Sequence, residues 1–168
     1  KDESAIKSFL GYAPVLEALA VYFIDEPNTM KLLLHTQDST NAFCQIMKYI
    51  LDREKAKVVG GFKQRCQKEF PSFDNWEILY SEEEQIKRIA YYLIFNSTDY
   101  DNCRLDLPNE LAAEYGELIE SFLKDHPFIR VSAKENSFEP DFAGVAFRDY
   151  VLAKLMNISE YDDFAREL

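Results

Sequence analysis

Apolar residues recur along this chain mostly at three- and four-residue intervals, the spacing of one face of an α-helix. Val15, Leu16, Leu19, Ala20, Phe23 and Ile24 predict a helix over Phe9–Asp25. Pro14 falls near its first turn, where a missing N–H costs nothing. Glu26-Pro27-Asn28 stops it, and a short helix over Thr29–His35 comes next. Ser39 or Thr40 caps the third helix. Its stripe is Phe43, Ile46, Met47, Ile50 and Leu51, resumed at Val58, Val59, Phe62, Cys66 and Phe70. Gly60-Gly61 interrupts this run. Two adjacent helical glycines cost about 2 kcal/mol relative to alanine, so a kink or a break is expected there. Pro71 ends the element.

In the second half, Ser81-Glu82-Glu83-Glu84 reads as a capping box, with acids suited to a helix N-terminus. Ile86, Ile89, Ala90, Leu93 and Ile94 face inward from that helix. Asn96–Leu107 is a polar loop. Pro108 starts a helix carrying Leu111, Tyr115, Leu118, Ile119, Phe122 and Leu123 on one face, which ends before Pro127. The period then changes from helical to alternating. Phe128–Val131 reads as a strand, Ala133–Asn136 as a turn and Phe138–Phe142 as a returning strand with Pro140 at an edge. A helix over Phe142–Met156 succeeds it, with Val145 or Ala146, Tyr150, Ala153 and Leu155 or Met156 toward the core. Ser159 caps a last helix to about Arg166. The expected fold class is mainly α: a helical subdomain over 1–75, then a winged-helix-like subdomain over 76–168 with one small β-hairpin.

With 168 residues, 47% of them hydrophobic, the chain can bury a sizeable core. It opens on Lys1 rather than Met, which points to a piece of a longer polypeptide. It has no signal-peptide pattern and no apolar run of membrane-spanning length, so no membrane partner and a cytoplasmic setting are expected. Cys44, Cys66 and Cys103 are odd in number and far apart, as free thiols in a reducing compartment would be.

The net charge of −11 argues against general nucleic-acid binding. The predicted helix Asn109–Asp125, which would enter a groove in a DNA-binding winged helix, carries five acids and one lysine. The charge is uneven, however. Arg53, Lys55, Lys57, Lys63, Arg65 and Lys68 fall in one stretch whose one acid is Glu54. That stretch is either a solvated helix face or a docking face for an acidic partner or a nucleotide. Phosphate-loop and nucleophile-elbow motifs are absent, and the two histidines, His35 and His126, read as structural. His126 lies at a helix end, where a cation is favoured. Asp99, Asp101 and Glu110 match a calcium-loop spacing, but Cys103, Arg104 and Pro108 break it. No catalytic residue, metal site or cofactor is expected within these residues.

Two stretches carry a resemblance. The run F-x-G-x-x-F-x-D-Y-x-x-A, built on Phe142, Phe147, Asp149, Tyr150 and Ala153, resembles the F-x-H-x-x-F-x-E-Y-x-x-A signature of the winged-helix region in NACHT-type signalling NTPases, the STAND class. It stands just after the hairpin, as in that class. The run GYAPVLEALAVYF, Gly11–Phe23, looks like the G-x-P-L-x-x-L helix that succeeds the NTPase core there, whose proline lies against adenine; Pro14 would be that residue. The resemblance implies a non-catalytic clamp and switch region of a defence or signalling NTPase. The parent would bind ATP or ADP with Mg, this region would pack on the NTPase core, and oligomerisation on activation would be a consequence. Phe142, Phe147, Asp149 and Tyr150 would belong to the moving helix. Gly144 stands where the family has a histidine that contacts the terminal phosphate, and glycine has no side chain to make that bond. A free-standing helical interaction module is the alternative.

Overall fold

The structure, a computed structural model, describes residues 11–25, 39–94, 107–134 and 137–158. The expected helices Thr29–His35 and Ser159–Arg166, most of the Asn96–Leu107 loop, His35 and Cys103 lie outside the described residues. In order, the elements are α1 (Ala13–Asp25), α2 (Ser39–Cys66), a 3-10 turn (Trp76–Ile78), α3 (Glu82–Leu93), α4 (Asn109–Lys124), β1 (Ile129–Lys134), β2 (Ser137–Phe142) and α5 (Val145–Leu155). The fold is mainly helical with one two-stranded antiparallel sheet among the described residues.

The chain divides into two compact units, Lys1–Arg53 and Glu54–Leu168. The sequence places the division after residue 75. The observed one falls earlier because the C-terminal half of α2 packs with the 3-10 turn and with α4: Phe62 meets Trp76 edge-on and lies against Tyr115. The expected break at Gly60-Gly61 does not occur, and α2 runs unbroken for 28 residues. Val58, Val59, Phe62 and Cys66 are buried on either side of the glycines, and that burial offsets their low helix propensity.

In the first unit, Val15, Met47, Ile50 and Leu51 are buried, and Arg53 pairs with Glu17 at 3.2 Å. The α1 stripe is not a buried face along its length: Leu16, Ala20 and Ile24 are exposed. In the second unit, the helical stripes largely behave as expected. Ile86, Ile89 and Ala90 of α3 and Leu111, Tyr115, Ile119 and Leu123 of α4 are buried. Ser81 caps α3, its Oγ accepting from the Glu84 N–H at 3.2 Å.

The hairpin pairs Ile129 with Phe142 and Lys134 with Ser137. The strands are longer than expected, because β1 takes in Ala133 and Lys134, the first two residues of the stretch read as a turn, and β2 begins at Ser137. Phe128 precedes the strand and is fully buried in the core. In α5, Phe147, Tyr150, Val151 and Leu155 are buried, whereas Val145, Ala153 and Met156 face solvent. The side facing the core is therefore rotated toward Phe147 and Val151 relative to the expected one.

Candidate functional site

The aromatic motif is held by the core of the second unit. Phe147 stacks against Phe128 with ring centroids 4.7 Å apart, and Tyr150 meets the same ring edge-on at 6.2 Å. Phe142 is buried at the end of β2. The Tyr150 hydroxyl donates to Glu82 Oε1 at 3.1 Å, tying α5 to the N-terminus of α3. Lys154 reaches the same carboxylate and lies 5.4 Å from the centre of the Tyr150 ring. Asp149 points outward and is paired with the adjacent Arg148. Gly144 is the N-cap of α5 in ordinary extended backbone. A Cβ there would meet Phe147 Cδ2 at 3.8 Å, an ordinary contact, so no steric rule demands glycine.

Beneath this helix lies a buried polar chain that no sequence pattern announces. The Phe128 N–H donates to His126 Nδ1 at 3.0 Å. The ring is therefore neutral, with its proton on Nε2, which donates to Gln85 Oε1 at 3.1 Å. Gln85 Nε2 donates to the Tyr80 carbonyl at 2.8 Å, and the Tyr80 N–H donates to the Tyr115 hydroxyl at 2.8 Å. His126 is thus a buried acceptor rather than the helix-end cation that its position suggests. Tyr80 has φ of 51°, a left-handed conformation costly for a bulky residue. Side-chain partners on both its backbone groups hold it there. The Tyr80 hydroxyl is buried without a hydrogen-bond partner among the described residues, and burial pushes its pKa far above the usual phenol range.

Two further buried groups border this chain. Glu84 pairs with Arg88, whose guanidinium lies 5.3 Å from the centre of the Tyr115 ring. Burial holds the Glu84 carboxyl above its usual range despite that partner. Cys66 Sγ–H donates to Glu114 Oε2 at 3.2 Å. Burial, then that hydrogen bond and the Glu114 charge, push the thiol up to about 11. A thiol held protonated in this way is the opposite of an activated nucleophile. Among the described residues, no three His, Cys, Asp or Glu side chains gather where they could hold a metal ion. No described helix is long and apolar enough to cross a membrane.

The basic stretch does not form one face. Successive helical residues are about 100° apart, which places Lys55 and Lys57 on nearly opposite sides of α2. Arg53, Lys55 and Lys57 are paired with Glu17, Glu77 and Glu54. The Arg65 guanidinium lies over the Phe62 ring at 5.9 Å. Lys63 and Lys68 have no ion pair among the described residues. Pro14 sits in the first turn of α1, half-buried, where the Tyr12 carbonyl accepts from the Val15 and Leu16 amides. It belongs to the first unit and the aromatic motif to the second. Sequence patterns do not reveal Tyr80, Gln85, Glu82 and Arg88 as partners. Tyr80, directly before the Ser81 cap, is the one with a local clue.

Neither a family model, nor a curated protein, nor a solved structure matches this chain.

Proposed function

We propose that this chain is the non-catalytic helical and winged-helix-like region of a cytoplasmic STAND-type NTPase, which packs against the nucleotide-binding core and swings away on activation. The observation that carries this reading is the setting of the aromatic motif. It forms the helix directly after the hairpin and is anchored through Phe147 on Phe128 and through Tyr150 on Glu82. That is the order, helix–helix–hairpin–motif helix, in which the STAND signature stands. Such a switch needs two packings that differ by only a few kcal/mol. The partly exposed contact of Tyr150 and Lys154 with Glu82 is of a kind that can break and re-form.

The test is nucleotide content. The native full-length protein, purified from its own cells and denatured, should release ATP or ADP. Pro14→Ala should lower the amount retained. Gly144→His, for which the backbone has room, should raise it by restoring a donor toward the terminal phosphate. A native protein carrying no adenine nucleotide, with neither variant changing that, would sink the proposal. The second reading, a helical interaction module with no nucleotide link, is favoured by one fact: Phe142, Phe147 and Tyr150 are all taken up by internal packing. It expects the same experiment to find no nucleotide.

A further inference from the structure

The two outer edges of the hairpin are not alike. The Ala143 N–H donates to the Phe128 carbonyl at 2.8 Å, one step outside the Ile129–Phe142 pair. Hydrogen-bonded and non-hydrogen-bonded pairs alternate along an antiparallel ladder. Arg130–Asp141, Ser132–Glu139 and Lys134–Ser137 are therefore the bonded pairs, and Ile129–Phe142, Val131–Pro140 and Ala133–Phe138 the others. In the second set the backbone groups of both residues point away from the ladder, toward the outer edges. On β2 that outer row is closed. Pro140 has no N–H to offer, and the Phe142 N–H donates to Asp141 Oδ1 at 2.7 Å. On β1 the Ile129 N–H is taken by the His126 carbonyl at 2.8 Å. The outward backbone groups of Val131 and Ala133 have no hydrogen-bond partner among the described residues. Val131 is 59% exposed, and Arg130 beside it is exposed too. An open edge of this kind is a template for another strand.

Charge says which strand fits. β1 holds Arg130 and Lys134 and no acid. The strand it already accepts, β2, alternates Phe138, Pro140 and Phe142 with Glu139 and Asp141. Arg130 pairs with Asp141 across the ladder at 3.3 Å, and its side chain is still more than half exposed. A guanidinium has five N–H donors, so a second carboxylate can share it from the open side. A second copy of β1 on this edge would bring the cations of both strands together with no acid between them, which is unfavourable. The β2 edge of a second copy lacks a donor at Pro140.

We propose that the open edge of β1 takes up, as a third strand, an extended segment of a partner protein in which apolar residues alternate with aspartate or glutamate. Backbone bonds to Val131 and Ala133 supply the affinity, and Arg130 and Lys134 select the acidic residues. The uptake is independent of nucleotide binding.

The probe is a fluorescein-labelled peptide of the β2 sequence with valine in place of its proline, titrated with the full chain and read by fluorescence anisotropy. Saturable binding that weakens as salt rises is expected. The same peptide with lysine at both acidic positions should bind at least about tenfold more weakly. Val131→Pro removes an outward N–H but no bond of the β1–β2 ladder, and it should abolish binding. Should that variant not fold, hydrogen exchange in the parent chain decides: the Val131 and Ala133 amides should slow when the acidic peptide is added. The proposal is overturned by the absence of saturable binding, by binding indifferent to salt or to the lysine replacements, by full binding to a folded Val131→Pro chain, or by protection that misses Val131 and Ala133. It is equally overturned if those two amides slow as the chain alone is concentrated, which would give the edge to a second copy.

Discussion

Helix α5 and the second half of α2 are the two stretches whose sequences stand out most, and the structure uses them in opposite ways. In α5 the distinctive residues are internal: Phe147 and Tyr150 are buried against Phe128, and the residues left outside are an assortment of Val145, Arg148, Asp149 and Met156. In α2 the ordinary apolar residues are internal. The distinctive ones, Gly60, Gly61, Lys63 and Lys68, stay at or near the surface, and no packing among the described residues explains them. An aromatic pattern can be fully accounted for by the core it fills. A costly surface pattern cannot, and it points outward.

That contrast can be broken first at its strongest point. Phe147→Ala empties a buried aromatic position and should cost about 3–5 kcal/mol in urea unfolding. A loss below about 1 kcal/mol would mean that the motif is not internal after all. Next is the pH dependence of Cys66. Its thiol is raised from 9.0 to about 11, so the stability it contributes is complete below about pH 9 and is lost as pH rises through about 11. The parent chain should lose about 2–3 kcal/mol more than Cys66→Ala over that window, measured as the difference between two urea-unfolding series.

Replacing Gly60 and Gly61 together by alanine should stabilise the dilute chain by about 2 kcal/mol, since neither Cβ meets a neighbour. A loss of stability would show that the glycines serve the fold. Tyr80→Phe should be neutral or stabilising by about 1 kcal/mol, because it removes a buried hydroxyl that has no hydrogen-bond partner among the described residues. Tyr150→Phe should instead cost about 1 kcal/mol, because it removes a made bond to Glu82. At the small end, Lys63→Glu with Lys68→Glu should leave stability within about 0.5 kcal/mol in urea unfolding, and a larger loss would show that these cations serve the fold.

The helices were legible because burial imposes a period on the sequence. Ile86 with Ile89 and Ala90, and Leu111 with Tyr115 and Ile119, sit where the spacing puts them, and Ser81 caps where its chemistry predicts. The hairpin was legible from the change of period at Phe128, and the mainly α fold class comes from these elements alone. Local patterns of that kind carry no information about which partner a polar group finds. The path from His126 through Gln85 and Tyr80 to Tyr115 joins residues up to 41 positions apart, and the left-handed Tyr80 is held by that convergence. The continuity of α2 through Gly60-Gly61 was likewise a tertiary decision, because propensity is a small local cost and the burial of Val58 and Phe62 outweighs it. The sequence alone determined where most of the described helices and the hairpin form and how charge is distributed along them. Only the tertiary structure decided which cations are neutralised, which aromatics are internal, and that Cys66 of α2 finds Glu114 of α4, since adjacency in space is set by packing between elements and not by position along the chain.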